Sequence, residues 1–466
     1  MIAASGGPAA GRLLVRGTGS VPRATATDTL RVLTRVLGPN IAQGVIARRP
    51  TVVRLAQRCQ VDAGVVHETA RLRRRYGRGP LRLRVPGREL ALVLDAEDVH
   101  RVLDGTPDPF TPANAEKRAA LGQFQPHGVL VSRGSERASR RRINEHALDT
   151  GHPVHGDAEA IVAAVHDEVG GLLARTDDLT WTAAQQAWRR AVRRVVLGEQ
   201  ARDDEVVHTL MDRLRGRANW SFLAPRDRRS RAALRDRLTI HVDRAGPGSL
   251  AARLRSTGSP SDAEGGIDVL DQIPQWLFAA DPALMVAHRA LALLAVDPAA
   301  RDRARSEMTE VADHTAPLLP QVRAAVLESA RLWPTTPLIL RDTTEATTWP
   351  TGTVPAGAGL LVVTPYFHRD ESREPTAHRF APENWLSPDG RSLDETAHDH
   401  RPLVPFSEGP ASCPGQDLVL LMTSTWIAAV LDRHEVEPRT AAPLDPSSLP
   451  ASLSPFDLAF RLRSRS

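Results

Sequence analysis

The stretch PFSEGPASCPGQDLVLL, residues 405–421, places one of only two cysteines of the chain directly before an apolar segment. Residues 418–431, LVLLMTSTWIAAVL, have the composition of a buried helix. A cysteine just before a helix lies where unpaired backbone N–H groups and the positive end of the helix dipole converge, which favours the thiolate. Gly409 predicts a tight turn with positive φ before Cys413. The stretch therefore predicts a sulfur presented where a loop meets a helix.

The neighbours of this cysteine favour a role as a metal ligand. Pro414 has no N–H, so one amide donor is absent, and a sulfur with fewer hydrogen bonds donates more electron density to a metal. Gly415 allows a flat group to approach the start of the helix, and Phe406 supplies an apolar, aromatic floor. Proline in the first turn of a helix is nevertheless ordinary, and most free cysteines are packing residues. These residues alone leave a buried packing cysteine open.

The spacing of the stretch resembles a known signature. Phe406-x-x-Gly409-x-x-x-Cys413-x-Gly415 is similar to the haem-binding loop of cytochromes P450. The resemblance implies that Cys413 is the axial thiolate of the iron in haem b (iron protoporphyrin IX), and that the fold is mainly α with small β-sheets, as in cytochromes P450. The family usually has a basic residue near a haem propionate where this chain has Ala411, so propionate anchoring must come from elsewhere.

The pattern along the rest of the chain is compatible with a single domain over residues 1–466. Between a flexible start at 1–25 and the cysteine, we expect these segments: helices over 26–75, a β-hairpin over 80–95, a short helix from 96 to 103, a long loop with one helical piece over 105–130, helices over 134–330, short strands over 334–365 and irregular coil over 366–412. There are no repeats, and no linker is clear enough to divide the chain.

Composition excludes several classes of protein. Cys59 and Cys413 are too few for a disulfide framework or a four-cysteine zinc site, so a reducing, cytoplasmic setting fits best. No segment has the roughly 18 uncharged apolar residues of a spanning helix, which predicts a protein without a membrane anchor. The formal charge is +5, but 55 acidic residues are interleaved with 60 basic ones. The arginine runs at 71–78 and 225–237 are therefore predicted to be solvated helix faces, with no nucleic-acid partner.

A second motif precedes the cysteine in the order that the family shows. Glu328-Ser-Ala-Arg331 resembles the E-x-x-R motif of helix K, and residues at i and i+3 share a helix face, so the two side chains can form an ion pair. In the family, a P-x-R-[FW] segment completes this network, but this chain has Asn384 at the arginine position. We expect His378 or Arg379 to complete it, or the network to be weaker.

Three arginines are candidates for holding the haem propionates. Arg341 lies ten residues beyond Arg331, on the predicted strand after that helix, at a position that resembles a propionate ligand. Arg137 and Arg141 are spaced i, i+4 in GSERASRRRINEH, where the resemblance implies the propionate-binding face of helix C. Both would lie on one side of a helix and could bind carboxylates bidentately. The alternative is a solvated arginine face.

The segment QWLFAADPALMVAHRALALLA, residues 275–295, resembles the helix that activates oxygen in the family, with a departure. Asp281 aligns with the usual acid, but Pro282 takes the place of the usual threonine. Both are candidate catalytic positions. Proline inside a helix would leave the carbonyl of Phe278 without its amide partner. Alternatively, Asp281 caps one helix end and Pro282 starts a second helix.

Taken together, the resemblance implies a haem-thiolate monooxygenase. It would be a cytoplasmic monomer that oxidises a small organic substrate with dioxygen and electrons from a ferredoxin-type partner, since no flavin or iron–sulfur domain is fused. Because the threonine is missing, two alternatives stay open. One is a peroxide-driven or oxidative-coupling enzyme, and the other is a haem-binding protein without catalysis.

Overall fold

A computed structural model describes residues 19–256, 268–311, 316–394, 396, 403–440 and 443–465. These residues form the following α-helices: α1 (Ala26–Val32), α2 (Gly38–Gln43), α3 (Pro50–Arg58), α4 (Val61–Tyr76), α5 (Ala96–Asp104), α6 (Ala115–Leu121), α7 (Gly134–Leu148), α8 (Ala158–Leu173), α9 (Trp181–Leu197), α10 (Glu205–Ala218), α11 (Arg228–Arg244), α12 (Leu250–Ser256), α13 (Ile273–Val296), α14 (Pro298–Glu310), α15 (Pro320–Leu332), α16 (Thr364–His368) and α17 (Gln416–Leu431). A π-helical turn, Leu33–Leu37, joins α1 to α2.

The strands are short and form three small sheets. Their bounds are β1 (Leu81–Leu83), β2 (Leu90–Leu92), β3 (Phe110–Thr111), β4 (Asp178–Thr180), β5 (Leu338–Thr343), β6 (Thr347–Trp349), β7 (Gly352–Val354), β8 (Gly359–Val363), β9 (His434–Arg439) and β10 (Ala459–Ser464). The largest sheet has the order β1-β2-β8-β5-β3, and only its β2–β8 pair is parallel. The predicted hairpin is the β1–β2 pair. The mainly helical fold with small sheets is confirmed.

The centre of the helical part is α13, which packs against α9, α15 and α17. Its residues are apolar on nearly every side, because the helix is surrounded by other helices. With the turn before it, Val269–Val296 is long and apolar enough to cross a membrane, but 83% of the apolar window is buried inside the protein, as in the core helix of a globular domain. The α13 backbone therefore forms a fixed wall in the interior.

The start of the chain is more ordered than the sequence predicted. Residues 1–18 lie outside the described residues, so the expectation for that part stays a prediction. Residues 19–25, however, run along the sheets: Ser20 bridges Thr353 and Arg23 bridges Arg82. Thr25 then caps α1 by accepting a hydrogen bond from the amide of Asp28. The prediction of a flexible segment as far as residue 25 was wrong, because these pairings join residues far apart in the chain.

Candidate active site

The cysteine loop is held in shape by its backbone. The amide of Cys413 donates to the carbonyl of Phe406 at 2.8 Å, closing the loop just before α17. Gly409 has φ +67°, as predicted, and a Cβ there would lie 2.6 Å from the carbonyl oxygen of Leu103 in α5. Only glycine fits this turn. Gly415 has φ −100°, and a Cβ there would make only ordinary contacts, so its predicted role toward a flat group stays a prediction.

Two side chains fix the loop to its neighbours. Arg141 on α7 donates to the carbonyl of Ser412 at 2.7 Å and pairs with Glu145 at 2.6 Å. On the other side, Nδ1 of His100 lies 2.9 Å from the carboxylate of Glu408. Ser412, directly before the cysteine, is thus hydrogen-bonded to α7, and Glu408, directly before Gly409, contacts α5.

Cys413 is half-buried. Burial raises the pKa of the thiol, and this effect outweighs the opposing effects of the Gly415 N–H and of the Arg141 charge. Asp417 adds to the rise. The helix start therefore does not by itself keep the sulfur ionised, and a bound metal would have to displace the proton.

Arginine side chains without acidic partners converge near this loop. Arg341 on β5 is buried, and among the described residues its guanidinium reaches only neutral groups: Thr106 at 3.3 Å, the Leu340 carbonyl at 3.2 Å and Ser407 at 3.4 Å. Burial and the charge of Arg137 lower the pKa of Arg341 to about 10. Arg137 is buried on α7, and its Nε has no partner among the described residues. Buried cations are normally paired, so this group lacks negative charge.

Lys117 on α6 is a third cation of this group, and the sequence motifs did not indicate it. Its ammonium group donates to the Leu340 carbonyl at 3.4 Å, beside Arg341. Burial and the Arg341 charge lower the pKa of Lys117 well below its usual range. Its rarity was a usable signal, because Lys117 is the only lysine among 60 basic residues. Two propionate carboxylates beside this group would supply the missing charge, so the residues present fit a haem.

Glu328 and Arg331 form the ion pair that their spacing predicts. Both side chains are completely buried on α15, with contacts of 2.7 and 2.6 Å between the guanidinium and the carboxylate. Arg331 also donates to the carbonyls of His368, Thr376 and Arg379 at 2.8 to 3.1 Å. The pair therefore ties α15 to the coil that precedes the cysteine loop.

The third partner of this pair differs from the expectation. Glu328 accepts hydrogen bonds from the indole N–H of Trp385 at 2.8 Å and from the amide of Ala381 at 3.0 Å. The expectation for His378 or for the side chain of Arg379 was wrong. His378 contacts Arg369 and Glu371 instead. These neutral N–H donors take the place of the arginine that the family has where this chain has Asn384. No further cation is needed to balance Glu328, because Arg331 already neutralises it.

Asp281 lies on α13 between two arginines from other helices. Its carboxylate contacts Arg215 of α10 at 2.6 Å and Arg189 of α9 at 3.3 Å. Burial alone would raise the pKa of Asp281, but the charges and hydrogen bonds of the two arginines outweigh it, and the pKa falls below its usual value. Asp281 is therefore an ionised carboxylate throughout the neutral pH range.

Pro282 lies inside α13, which continues unbroken from Ile273 to Val296. The alternative that Asp281 caps one helix and Pro282 starts another was wrong. The proline cannot donate to the carbonyl of Phe278. The carbonyl of Ala280, two residues before Pro282, accepts a hydrogen bond from the indole N–H of Trp188 at 2.8 Å. This bond holds α9 against the same turn of α13.

The segment over 105–130 packs against the face of α13 that carries Phe278. The rings of Phe124 and Phe278 lie 5.9 Å apart, and Arg215 stacks over Phe278 at 5.1 Å. The segment and α13 thus meet beside Asp281.

Comparisons with known proteins agree with this geometry. The family model described as Cytochrome P450 matches residues 277–456, which include α15 and the cysteine loop. The chain is similar to cyclooctat-9-en-7-ol 5-monooxygenase of Streptomyces melanosporofaciens, with 27% identity over 68% of this chain and 74% of the relative. It is 29% identical to probable cytochrome P450 4s3 of Drosophila melanogaster, over 32% of this chain and 29% of that protein.

A solved structure extends the likeness to most of the chain. Retinoic acid bound cyanobacterial CYP120A1 superposes with a TM-score of 0.66 at 18% identity, covering 85% of this chain and 94% of that chain. The chain belongs to the cytochromes P450, and it is a monooxygenase-type oxidoreductase of that family. The cofactor of this family is a haem held by a cysteine thiolate.

Proposed function

We propose that this protein inserts one oxygen atom of dioxygen into a C–H bond of a small organic substrate. The second oxygen atom leaves as water, with two electrons from a ferredoxin-type partner and two protons. The observation that carries this proposal is the cysteine loop, in which Gly409 and the Cys413–Phe406 hydrogen bond present a sulfur at the start of α17. When bound, the haem supplies the activation of dioxygen. We further propose a cytoplasmic monomer with one domain.

We propose haem b as the cofactor. Cys413 would ligate the iron, and Phe406, Gly409 and Gly415 would frame the ring. Arg341, Arg137 and Lys117 would bind the propionates, because in the described part of the chain these cations converge without a carboxylate in direct contact. Arg141 is better placed to hold the Ser412 carbonyl than to bind a propionate, since it already bonds that carbonyl and Glu145.

Replacing Lys117 or Arg341 with methionine should weaken haem retention. Each change removes a hydrogen bond to a charged group, which is worth about 1.5–3 kcal/mol, so haem should dissociate roughly 10- to 100-fold faster. Transfer of haem to excess apomyoglobin measures the rate. Arg142→Met is the matched control, because Arg142 is exposed on α7. Equal dissociation rates in all variants would show that the propionates lie elsewhere.

Protons must reach the reaction centre without the threonine hydroxyl. Asp281 is the nearest ionisable group that α13 offers at this turn, and its two arginine partners keep it charged. We propose that Asp281 relays protons from solvent when it exchanges one arginine contact for water. A peroxide-driven reaction is the second candidate, because Pro282 has no hydroxyl and hydrogen peroxide already carries its protons.

Asp281→Asn separates the two candidates. The variant should lower ferredoxin-driven turnover roughly 10²-fold, the usual scale for one proton-transfer group. Turnover with hydrogen peroxide and no reductase should be unchanged, because that route needs no relay. Asp212→Asn is the control, since Asp212 also contacts Arg189, at 2.8 Å, but is half exposed. Wild-type rates with peroxide that match the ferredoxin-driven rates would support the peroxide enzyme instead.

The ferredoxin proposal is supported by charge near the cysteine. Arg133 and Arg142 are exposed at the start and the middle of α7, the helix that bonds Ser412. Ferredoxins are acidic, so these arginines would steer association, and the reduction rate should fall as salt rises. Reduction kinetics that do not depend on salt would contradict this docking face.

A further inference from the structure

A cavity of about 50 Å³ lies away from the cysteine loop, between the N-terminal helices and the second half of α13. Its lining includes three charged residues, Arg48 before α3, Asp62 on α4 and Arg289 on α13, and the hydroxyl-bearing Ser452 is among its polar residues. Since one water needs about 10–15 Å³ in this measure, the cavity has room for about three waters or for one small polar group. None of the residues assigned to haem binding or proton transfer lines it.

Two guanidinium groups face this cavity without an acidic partner in contact. Arg289 is buried and donates to the Trp333 carbonyl at 3.1 Å and to the Leu453 carbonyl, but its Nε has no partner in the described residues. Arg48 donates to the carbonyls of Gly44 at 3.2 Å and Thr335 at 2.8 Å. Within the part of the chain that the structure describes, neither forms an ion pair.

The charges around the cavity do not balance. Asp62 is the acidic residue in its lining, where its carboxylate accepts a hydrogen bond from Ser452 at 2.7 Å. It interacts electrostatically with Arg48, Arg289 and the buried Arg369. Burial lowers the pKa of Arg289 to about 9 and that of Arg369 to about 10. Among the described residues, two cations and one anion therefore line the cavity and a third cation acts on the same carboxylate, and buried charge of one sign is unfavourable unless it is compensated.

We propose that this cavity binds one small oxyanion of the carboxylate type, held by the N–H groups of Arg289 and Arg48. A planar guanidinium matches a carboxylate in geometry, and one such anion would offset part of the excess charge. Two sources share this chemistry, a free small anion and the acidic end of an organic substrate. The second source rests on the proposed function. It is supported by Met285, which is also in the cavity wall and lies one helical turn beyond Asp281 on α13.

The test of the site uses the holoenzyme and sodium acetate. Acetamide, which has the same shape without the charge, is the comparison ligand, and sodium chloride holds the ionic strength constant. Acetate at ten times its Kd should raise the melting temperature by about 2 °C, whereas acetamide should not. Arg289→Met and Arg48→Met should each abolish the shift.

Arg323→Met is the matched control. Arg323 is also a buried arginine that donates to a backbone carbonyl, that of Pro153, but it does not line the cavity. It should keep the acetate effect. An acetate shift that is absent from wild type, or that is equal in all variants, would overturn the proposal. If Arg289→Met does not fold, Arg48→Met and the wild-type comparison of acetate with acetamide still decide.

A second measurement identifies the source of the anion. Decanoate and decanamide are titrated while the haem spectrum is recorded. A spectral shift that decanoate causes in wild type but not in Arg289→Met assigns the cavity to the acidic end of a substrate. Stabilisation by acetate without any spectral shift assigns it to a free anion. Because the melting assay does not depend on turnover, it can succeed or fail separately from the monooxygenase proposal.

Discussion

Replacing Cys413 with alanine should abolish the red-shifted carbon monoxide difference band that marks a haem held by a thiolate. Electron donation from the sulfur favours O–O cleavage, so turnover should fall by at least ~10³-fold. The loop itself should survive, since its shape depends on the backbone hydrogen bond to Phe406 and on the Gly409 turn. The spectrum of the reduced protein under carbon monoxide is the measurement.

The chain contains its own control for this change. Cys59 is an exposed cysteine at the end of α3, and Cys59→Ala should leave both the spectrum and the turnover as in wild type. If the red-shifted band persisted in Cys413→Ala, another residue would have to bind the iron. In that case the assignment of the cysteine loop would be wrong.

Glu328→Gln should destabilise the fold strongly, because it removes the anion from a buried ion pair. The carboxylate accepts hydrogen bonds from Arg331, Ala381 and Trp385 in a site without solvent. A glutamine would leave the Arg331 charge buried and unpaired, which costs about 3–5 kcal/mol. The free energy of unfolding, from denaturant titration of the holoprotein, measures the loss.

Two further variants show whether the buried charge is the cause. Glu437→Gln breaks the pair with Arg463, in which both side chains are more than half exposed, and the expected change is about 0–1 kcal/mol. Trp385→Phe removes only the indole N–H and should cost an intermediate amount, about 1 kcal/mol beyond the effect on packing. A Glu328→Gln protein as stable as Glu437→Gln would contradict this account.

The local elements of the fold were predictable because their signals are local. The apolar segment at 418–431 lies in α17, and the hairpin predicted over 80–95 is the β1–β2 pair. Pairings between distant segments carry no such signal. The bridge from Ser20 to Thr353 is one example. It orders residues within the segment that the sequence predicted to be flexible.

The residues of the candidate site show the same difference between local contacts, which spacing predicts, and contacts between distant segments, which it does not. The contact of Glu328 with Arg331 follows from i, i+3 spacing, and the positive φ of Gly409 follows from the turn. The partners of Asp281 come from two other helices, far back in the sequence, and Trp385 joins Glu328 across 57 residues. Only folding brings such groups together, so spacing could not identify them.

The solitary lysine has a practical consequence for labelling. Lys117 carries the only side-chain amine of the 466 residues, and its lowered pKa leaves a larger share of that amine unprotonated, and therefore nucleophilic, than in an ordinary lysine. Acylating reagents such as succinimidyl esters would thus modify this protein at a single side chain, on α6. If a propionate is bound to that amine, the extent of acylation counts the protein molecules that lack their porphyrin.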